Sequence, residues 1–404
     1  MKRVVVVGGG PAGLIAAANS AKRGQQTLLL EQNEKLGKKL YITGKGRCNL
    51  TNAGGRDAFF AHVVKNPRFL YSAWNAFDAQ AIMNLLEEQN VPVKVERGDR
   101  VYPQSDKSSD VIRALTNYLN KCGASVQLNM GVKKIDIRGG RVCGVQTGEG
   151  FIPAEAVILC TGGKSYPSTG ATGVGYRLAR ELGHDVLPAS PSLIPLETIE
   201  AWPATLSGLA LKNVTLRAYE NEKKIFDGLG EMLFAHFGVT GPLVLCASAY
   251  MQQFENVRME IDLKPGLTEQ MLDARLLRDI EAGRRLSIKN AFSGLLPRAL
   301  LPVVLELAEI DASSLACELT KVQRRKLCQT LKALPLTVRN SRPIDEAVVT
   351  RGGINVKEVN PKTMESKIVS GLFFAGEVLD VDALTGGYNL QIAWSTGALA
   401  GLSC

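Results

Sequence analysis

The chain has 404 residues, a formal net charge of +9, 45% hydrophobic and 22% charged residues. That length exceeds one simple core and predicts two or three domains, and the composition is ordinary globular composition with no long disordered tail. The basic residues are scattered and not interleaved with aromatics, so the charge by itself predicts no nucleic-acid partner.

The first 31 residues carry the strongest pattern. Val4-Val5-Val6-Val7 is a short β-branched run. Gly8-Gly9-Gly10-Pro11-Ala12-Gly13 follows directly, then an Ala-rich helix over 14–22 and a second strand over 26–31 that ends on Glu31. Strand, glycine turn, helix, strand and acid, in that order, form a dinucleotide-binding βαβ unit. Gly8 permits the tight turn, Gly10 lets the backbone approach a pyrophosphate, and Gly13 lets the helix pack on the strand. The helix N-terminus offers unpaired N–H groups to phosphate, and Glu31 is spaced to hold ribose hydroxyls.

A Gly- and Lys-rich loop is expected over 37–52, with Lys35, Lys38, Lys39, Lys45 and Arg47 suited to an anionic cofactor. Asp78 is placed to cap a helix through Gln89, and Ser108 or Ser109 opens another that Gly123 stops. Strands are expected over 125–128, 132–137, 141–147 and 156–160, the middle pair forming a hairpin around Gly139-Gly140. Thr161-Gly162-Gly163 follows. The texture changes near Ser190. Strands are expected over 214–219, 223–226 and 257–263. Helices follow over 268–281 (capped by Thr268), 300–310 and 319–331. From Ile344 the chain returns to Gly-rich, apolar texture, with a buried strand over 371–377 and a final helix over 389–402.

The expected architecture is α/β. A discontinuous Rossmann-type domain spans 1–189 and 344–404. The insertion over 190–343 comprises a β-barrel-like part (190–266), a helical part (267–335) and a return segment (336–343). Eight cysteines show no CxxC pattern, so neither a local zinc site nor a redox disulfide is expected, and reduced thiols in a cytoplasmic protein are the default. The N-terminus does not read as a signal peptide, and no apolar run of 18 residues predicts a membrane span.

Gly376-Glu377 ends the last apolar strand, and an acid there can accept hydrogen bonds from sugar-like hydroxyls. Asp380 and Asp382 are alternatives. Gly386-Gly387-Tyr388-Asn389-Leu390-Gln391 opens the last helix, whose positive end suits the pyrimidine edge of a flavin. Of three histidines, His236 sits between aromatics and reads as a hydrogen-bonded core residue before it reads as a proton donor. Tyr166 and Tyr388 are further proton-donor candidates. Cys48 beside Arg47 reads as a packed small residue, with a lowered pKa as the alternative.

Several stretches together resemble one family. They are Gly8-x-Gly10-x-x-Gly13 with Glu31, residues 42–52 (ITGKGRCNLTN), 234–242 (FAHFGVTGP), 363–367 (TMESK), 376–380 (GEVLD) and 387–391 (GYNLQ). The pattern is similar to the bacterial NAD(P)/FAD-dependent oxidoreductases of the BaiN-like, aminoacetone-oxidase-like kind, within the two-dinucleotide-binding-domain flavoproteins. Members include L-aminoacetone oxidase and a reductase of dehydro bile-acid intermediates.

The resemblance implies FAD as the cofactor. Its implied site residues are Gly8, Gly10, Pro11, Ala12, Gly13, Glu31, Gln32, Lys39, Gly46, Arg47, Cys48, Asn49, Val132, Thr161, Gly162, Gly376, Glu377, Gly387, Asn389, Leu390 and Gln391. Glu31 would hold the adenosine ribose, and Val132 would flank the adenine. Thr161 and Gly162 would pass the adenosine half. Lys39, Arg47, Cys48 and Asn49 would approach the pyrophosphate or flavin. Glu377 would reach the ribityl chain, and residues 389–391 the isoalloxazine. Lys45 departs from the small residues relatives often carry there.

The activity implied is an NAD(P)H-linked reductase acting on an unsaturated carbonyl compound. An oxidase of a small amine using oxygen and a non-enzymatic flavin-binding regulator are the alternatives. The expected partners are a small-molecule substrate and NAD(P)H, with no membrane, no metal and no assigned catalytic residue.

Overall fold

The computed structural model describes residues 1–404, which divide into two compact units: Met1–Ser192 with Pro343–Cys404, and Leu193–Arg342.

The first unit is built on a five-stranded parallel sheet. Strand β1 (Arg3–Val7) lies between β2 (Gln26–Leu30) and Ala156–Leu159, with Ser125–Gln127 and Leu372–Phe374 at the edges. Val4, Val5 and Val6 are buried, as a parallel strand covered on both faces requires. Helix α1 (Pro11–Lys22) packs against the C-terminal helix, Tyr388–Ser403. Glycine makes that approach possible: a Cβ at Gly397 would sit 2.3 Å from the Ala12 carbonyl oxygen, and one at Gly401 2.2 Å from that of Ala16. A three-stranded antiparallel layer (Lys134–Arg138, Arg141–Gln146, Phe151–Pro153) forms the crossover, turning at Gly139-Gly140 as expected.

Two of the expected caps form, whereas Ser108 opens Ser108–Lys121 without capping it, its Oγ donating to the Tyr41 carbonyl. Asp78 accepts from the Ala81 N–H at the start of Ala79–Glu88. The loop expected over 37–52 is not all loop. A short helix, α2 (Lys38–Ile42), forms after Gly37 at φ +68, followed by a 3-10 turn at Thr43–Gly46. Gly37 supplies the left-handed entry, and Leu40 is the one residue of α2 that is buried.

The second unit is a closed six-stranded barrel of Leu196–Thr198, Gly238–Thr240, Lys223–Ala235, Ala210–Glu220, Arg258–Asp262 and Leu334–Ser341, in that order. Leu216, Ala218, Phe234, Met259, Ile261, Leu334, Leu336 and Val338 are fully buried. The expected return segment is therefore a structural strand. Leu334, Leu336 and Val338 alternate inward, and Leu334–Ser341 closes the barrel by pairing on both sides. Helices Glu269–Ala282, Leu300–Leu307 and Lys321–Lys332 complete the unit. Thr268 and Thr320 each cap their helix by accepting a backbone N–H, from Met271 and Gln323.

Candidate cofactor site

The glycine turn separates two reasons for being glycine. A Cβ at Gly8 (φ +105) would lie 2.5 Å from the Cys160 carbonyl oxygen, and one at Gly13 would lie 1.8 Å from the Gly8 carbonyl oxygen. Those positions are glycine because protein backbone fills the space. At Gly10 no protein atom lies within 4 Å of an added Cβ. Gly10 is the N-cap of α1, no side chain caps that end, and no acid lies in its first turn. An open cradle over uncapped N–H groups fits a pyrophosphate, and Pro11 at the first helical position removes a donor that would have no partner.

Glu31 faces this turn. It is 7% exposed, and its Oε2 accepts from the Gly9 N–H at 2.7 Å. Its Oε1 accepts from the Asn33 backbone N–H and Nδ2 at 2.8 and 2.7 Å. The Gln32 side chain donates to the Gly170 carbonyl at 2.7 Å, and the Met130 N–H bonds the Glu31 carbonyl, which brings buried Val132 to the same end. Thr161 Oγ1 is buried without a hydrogen-bond partner, and a Cβ added at Gly162 (φ +71) would have only Ala171 near it, at 4.0 Å. Glu31, Gln32, Val132, Thr161 and Gly162 thus line the ends of adjacent strands, the usual ligand edge of an open parallel sheet.

Gly376 packs on the same turn. Its added Cβ would meet Ala12 Cβ at 2.9 Å, and its N–H donates to Thr396 Oγ1. Beside it, Lys39 Nζ lies 2.7 Å from Glu377 Oε2 and donates to Ser165 Oγ at 2.6 Å. Glu377 Oε1 accepts from the Thr350 N–H at 2.8 Å and from Ser165 Oγ at 3.2 Å. Sequence pattern alone singles out neither Ser165 nor Thr350. Ser165 sits just past Thr161-Gly162-Gly163, so its nearness to that motif is a usable signal, whereas nothing local marks Thr350.

The side chains of Arg47, Cys48, Asn389 and Gln391 are committed to partners or packing within the protein. The Arg47 guanidinium is already committed: it bonds Asp106 and Glu96, which raise its pKa, and lies 4.2 Å over the Tyr102 ring. It braces the loop. Cys48 is fully buried at φ +60, and burial pushes its thiol up to about 12, so the lowered-pKa alternative fails and the packed reading holds. The amides of Asn389 and Gln391 are also spent inside the protein. Asn389 bonds Ala383 in both directions, and buried Gln391 donates to the Phe77 carbonyl and Ser395 while accepting from Thr51. Only their backbone is left to meet a ligand.

Asn49, with its amide oriented to satisfy both ends, donates to the Val101 and Thr51 carbonyls and accepts from the Gly387 N–H at 3.0 Å. This ties the 43–49 loop, with Gly46 open on its Cβ side, to the start of the C-terminal helix. Gly387 must be glycine, since its Cβ would sit 2.3 Å from the Thr51 carbonyl oxygen. Leu390 is half-buried against the core.

His236 is exposed, on the turn between two barrel strands, with only Phe237 stacked edge-on at 5.0 Å, so the core reading is corrected. Tyr166 is in the left-handed region, with burial raising its hydroxyl pKa. Tyr388 is buried and stacks on His62 at 4.3 Å. Asp380 pairs with Lys65 at 2.8 Å, and buried Asp382 accepts from Ser192.

Comparison with known proteins places this fold among flavin-dependent oxidoreductases. The chain is 31% identical to the 3-dehydro-bile acid delta(4,6)-reductase of Clostridium scindens, over 99% of this chain and 98% of that one. It is also 31% identical to the ribosomal RNA dihydrouridine synthase of Haemophilus influenzae, over 99% of this chain and 97% of that one. Its fold is similar to that of the 3-ketosteroid-delta4-(5alpha)-dehydrogenase of Rhodococcus jostii RHA1, covering 100% of this chain and 96% of that one at 16% identity and a TM-score of 0.54. The family model of the HI0933-like protein Rossmann domain matches residues 2–403, so the resemblance read from the motifs is borne out. With its Rossmann sheet, glycine cradle and barrel, the chain belongs to the HI0933-like family and is an FAD-dependent oxidoreductase.

Proposed function

We propose that this enzyme saturates a carbon–carbon double bond conjugated to a carbonyl, with NAD(P)H as the electron source. The observation that carries the reading is what two full-length relatives have in common. A delta(4,6)-reductase of a 3-dehydro bile acid and a dihydrouridine synthase both add hydrogen across a C=C bond in conjugation with a carbonyl group. Steroid enone and uracil ring differ in nearly everything else.

FAD, when bound, supplies two-electron hydride chemistry. The chain binds and orients it. The Gly10 cradle and the N-terminus of α1 would take the pyrophosphate, Glu31 the adenosine ribose, and the Lys39–Glu377–Ser165 group would face the ribityl chain. The backbone at 387–391 would approach the isoalloxazine. That helix end would set its positive dipole toward the ring and favour negative charge there.

A second reading concerns the substrate and is favoured by the Haemophilus relative: the double bond is that of uracil in RNA. It sets aside the expectation of no nucleic-acid partner. One experiment separates the alternatives. Holoenzyme with NADPH or NADH is given a steroid 4,6-dien-3-one, a uridine-containing RNA or a small primary amine, and products are read by mass spectrometry. A gain of two hydrogens on either conjugated substrate supports the reading and chooses between them. Amine oxidation with hydrogen peroxide release, and no gain on either, refutes it.

A further inference from the structure

The loop that meets the C-terminal helix carries an exposed aromatic residue among lysines outside any ion pair. α2 ends on Tyr41 and Ile42, which are 57% and 42% exposed. The Tyr41 ring has no aromatic neighbour, and its hydroxyl has no hydrogen-bond partner. Its backbone is nevertheless fixed: the Tyr41 N–H bonds the Gly37 carbonyl, and Ser108 Oγ donates to the Tyr41 carbonyl at 2.7 Å.

Three exposed lysines sit around these anchor points. Lys45 lies four positions on, held at φ +59. Lys107 immediately precedes Ser108, and Lys35 lies two positions before Gly37. None of the three is in an ion pair. The acids nearby are all engaged: Glu34 by Lys38, Asp106 by Arg47 and Lys94, and Asp110 by Arg113. Lys45 and Lys107 therefore have no acidic partner, and Lys35 shares Glu34 with Lys38.

An exposed ring flanked by ammonium groups matches one ligand chemistry well. Single-stranded nucleic acid stacks its bases on aromatic faces and sets its phosphates against cations. The same loop bonds Gly387 through Asn49, so a strand seated here would be next to the opening of the C-terminal helix.

We propose that Tyr41, Lys35, Lys45 and Lys107 form an RNA-contact edge beside the cofactor site, with a base stacked on Tyr41 and phosphates set against the lysines. The proposal rests on the RNA reading of the substrate given above.

The test is fluorescence anisotropy of a fluorescein-labelled oligouridylate with the FAD-loaded enzyme across a salt series. Four proteins are compared: the parent, Tyr41→Ala, Tyr41→Trp, and the double variant Lys45→Asn with Lys107→Gln. Asparagine is chosen at position 45 because it tolerates the left-handed backbone. Each lost phosphate contact on a single strand lowers the log–log salt slope by about 0.7, so the double variant should lose about 1.4. Tyr41→Ala should weaken binding by about tenfold with an unchanged slope, and Tyr41→Trp should restore it. Flavin absorbance per protein stays constant in all four, which separates lost contact from lost folding. A parent that binds while every variant binds equally well with the same slope overturns the edge and leaves the RNA reading standing. A parent that fails to bind at low salt overturns both.

Discussion

Lys39 Nζ lies 2.7 Å from Glu377 Oε2, so an ammonium from α2, just past the first βαβ unit, meets a carboxylate from the last strand end. Both side chains are about one-fifth exposed, at 22% and 21%. The pair joins distant parts of the chain at the place proposed for the ribityl chain. Lys39→Met leaves Glu377 with only the Ser165 and Thr350 donors. The loss should be about 1–2 kcal/mol, discounted from the fully buried case for partial exposure. Glu377→Gln should cost less, because an amide oxygen still accepts from Thr350. Urea denaturation of the two single variants and the double gives the coupling directly. A coupling of zero would mean the pair is incidental.

Gly10→Glu should fold and be colourless. No protein atom opposes the new side chain, so apoprotein stability should shift by less than about 1 kcal/mol, while its charge and bulk enter the pyrophosphate cradle. Circular dichroism with the flavin absorbance ratio decides it. Stoichiometric FAD in the variant would remove Gly10 from the site.

Gly397→Ala acts at the other face of the same helix. Its Cβ would meet the Ala12 carbonyl oxygen at 2.3 Å, so α1 and the C-terminal helix must part. Overpacking of this kind costs about 1–3 kcal/mol. Because α1 carries the cradle, flavin affinity should fall along with the melting temperature. Unchanged values for both would show that the helices have slack.

His184 gives the fold an acid limit. Ser366 Oγ already accepts from the Ile368 and Val369 N–H groups, so its own proton goes to His184 Nε2 at 2.9 Å, and Nδ1–H donates to Glu358 at 3.0 Å. A second ring proton has no place. Burial lowers the folded-state pKa below 6.5, against the opposing pull of Glu358. The unfolded chain therefore takes up the proton first. Stability is complete above about pH 6.5 and falls as pH drops through the folded value, by at most about 1.4 kcal/mol per pH unit. Urea midpoints measured from about pH 8 to pH 5 should fall less steeply for His184→Gln than for the parent. Parallel slopes would contradict the assignment.

Cysteine labelling checks the loop. Cys317 is exposed, whereas Cys48 is buried with its thiol pushed up to about 12. Burial both hides the Cys48 sulfur and disfavours its thiolate. Iodoacetamide followed by peptide mass spectrometry should modify Cys317 and spare Cys48 in the native enzyme.

What the sequence made legible was local. The βαβ unit, Asp78, Thr268 and the Gly139-Gly140 hairpin are each set by neighbours within a few residues, and each forms as expected. The misassigned side chains depend on partners far along the chain. Arg47 meets Glu96 and Asp106 across 49 and 59 residues, and Gln391 meets Phe77 across 314. From spacing alone these polar groups look free for a ligand. His236 differs for another reason. Its aromatic neighbours suggest burial, but the turn between Lys223–Ala235 and Gly238–Thr240 carries it outward. Helix α2 leaves little trace in the sequence, because its five residues follow a left-handed glycine and bury a single side chain.

The most direct test of a flavin enzyme that reduces a conjugated double bond is anaerobic stopped-flow absorbance of the FAD-loaded protein. NADPH or NADH is added first, and a uridine-containing RNA or a steroid dienone second. Such an enzyme should show rapid bleaching by one nicotinamide and recovery of the yellow colour on adding one conjugated acceptor. A flavin that neither nicotinamide bleaches, but that a primary amine does, would contradict it.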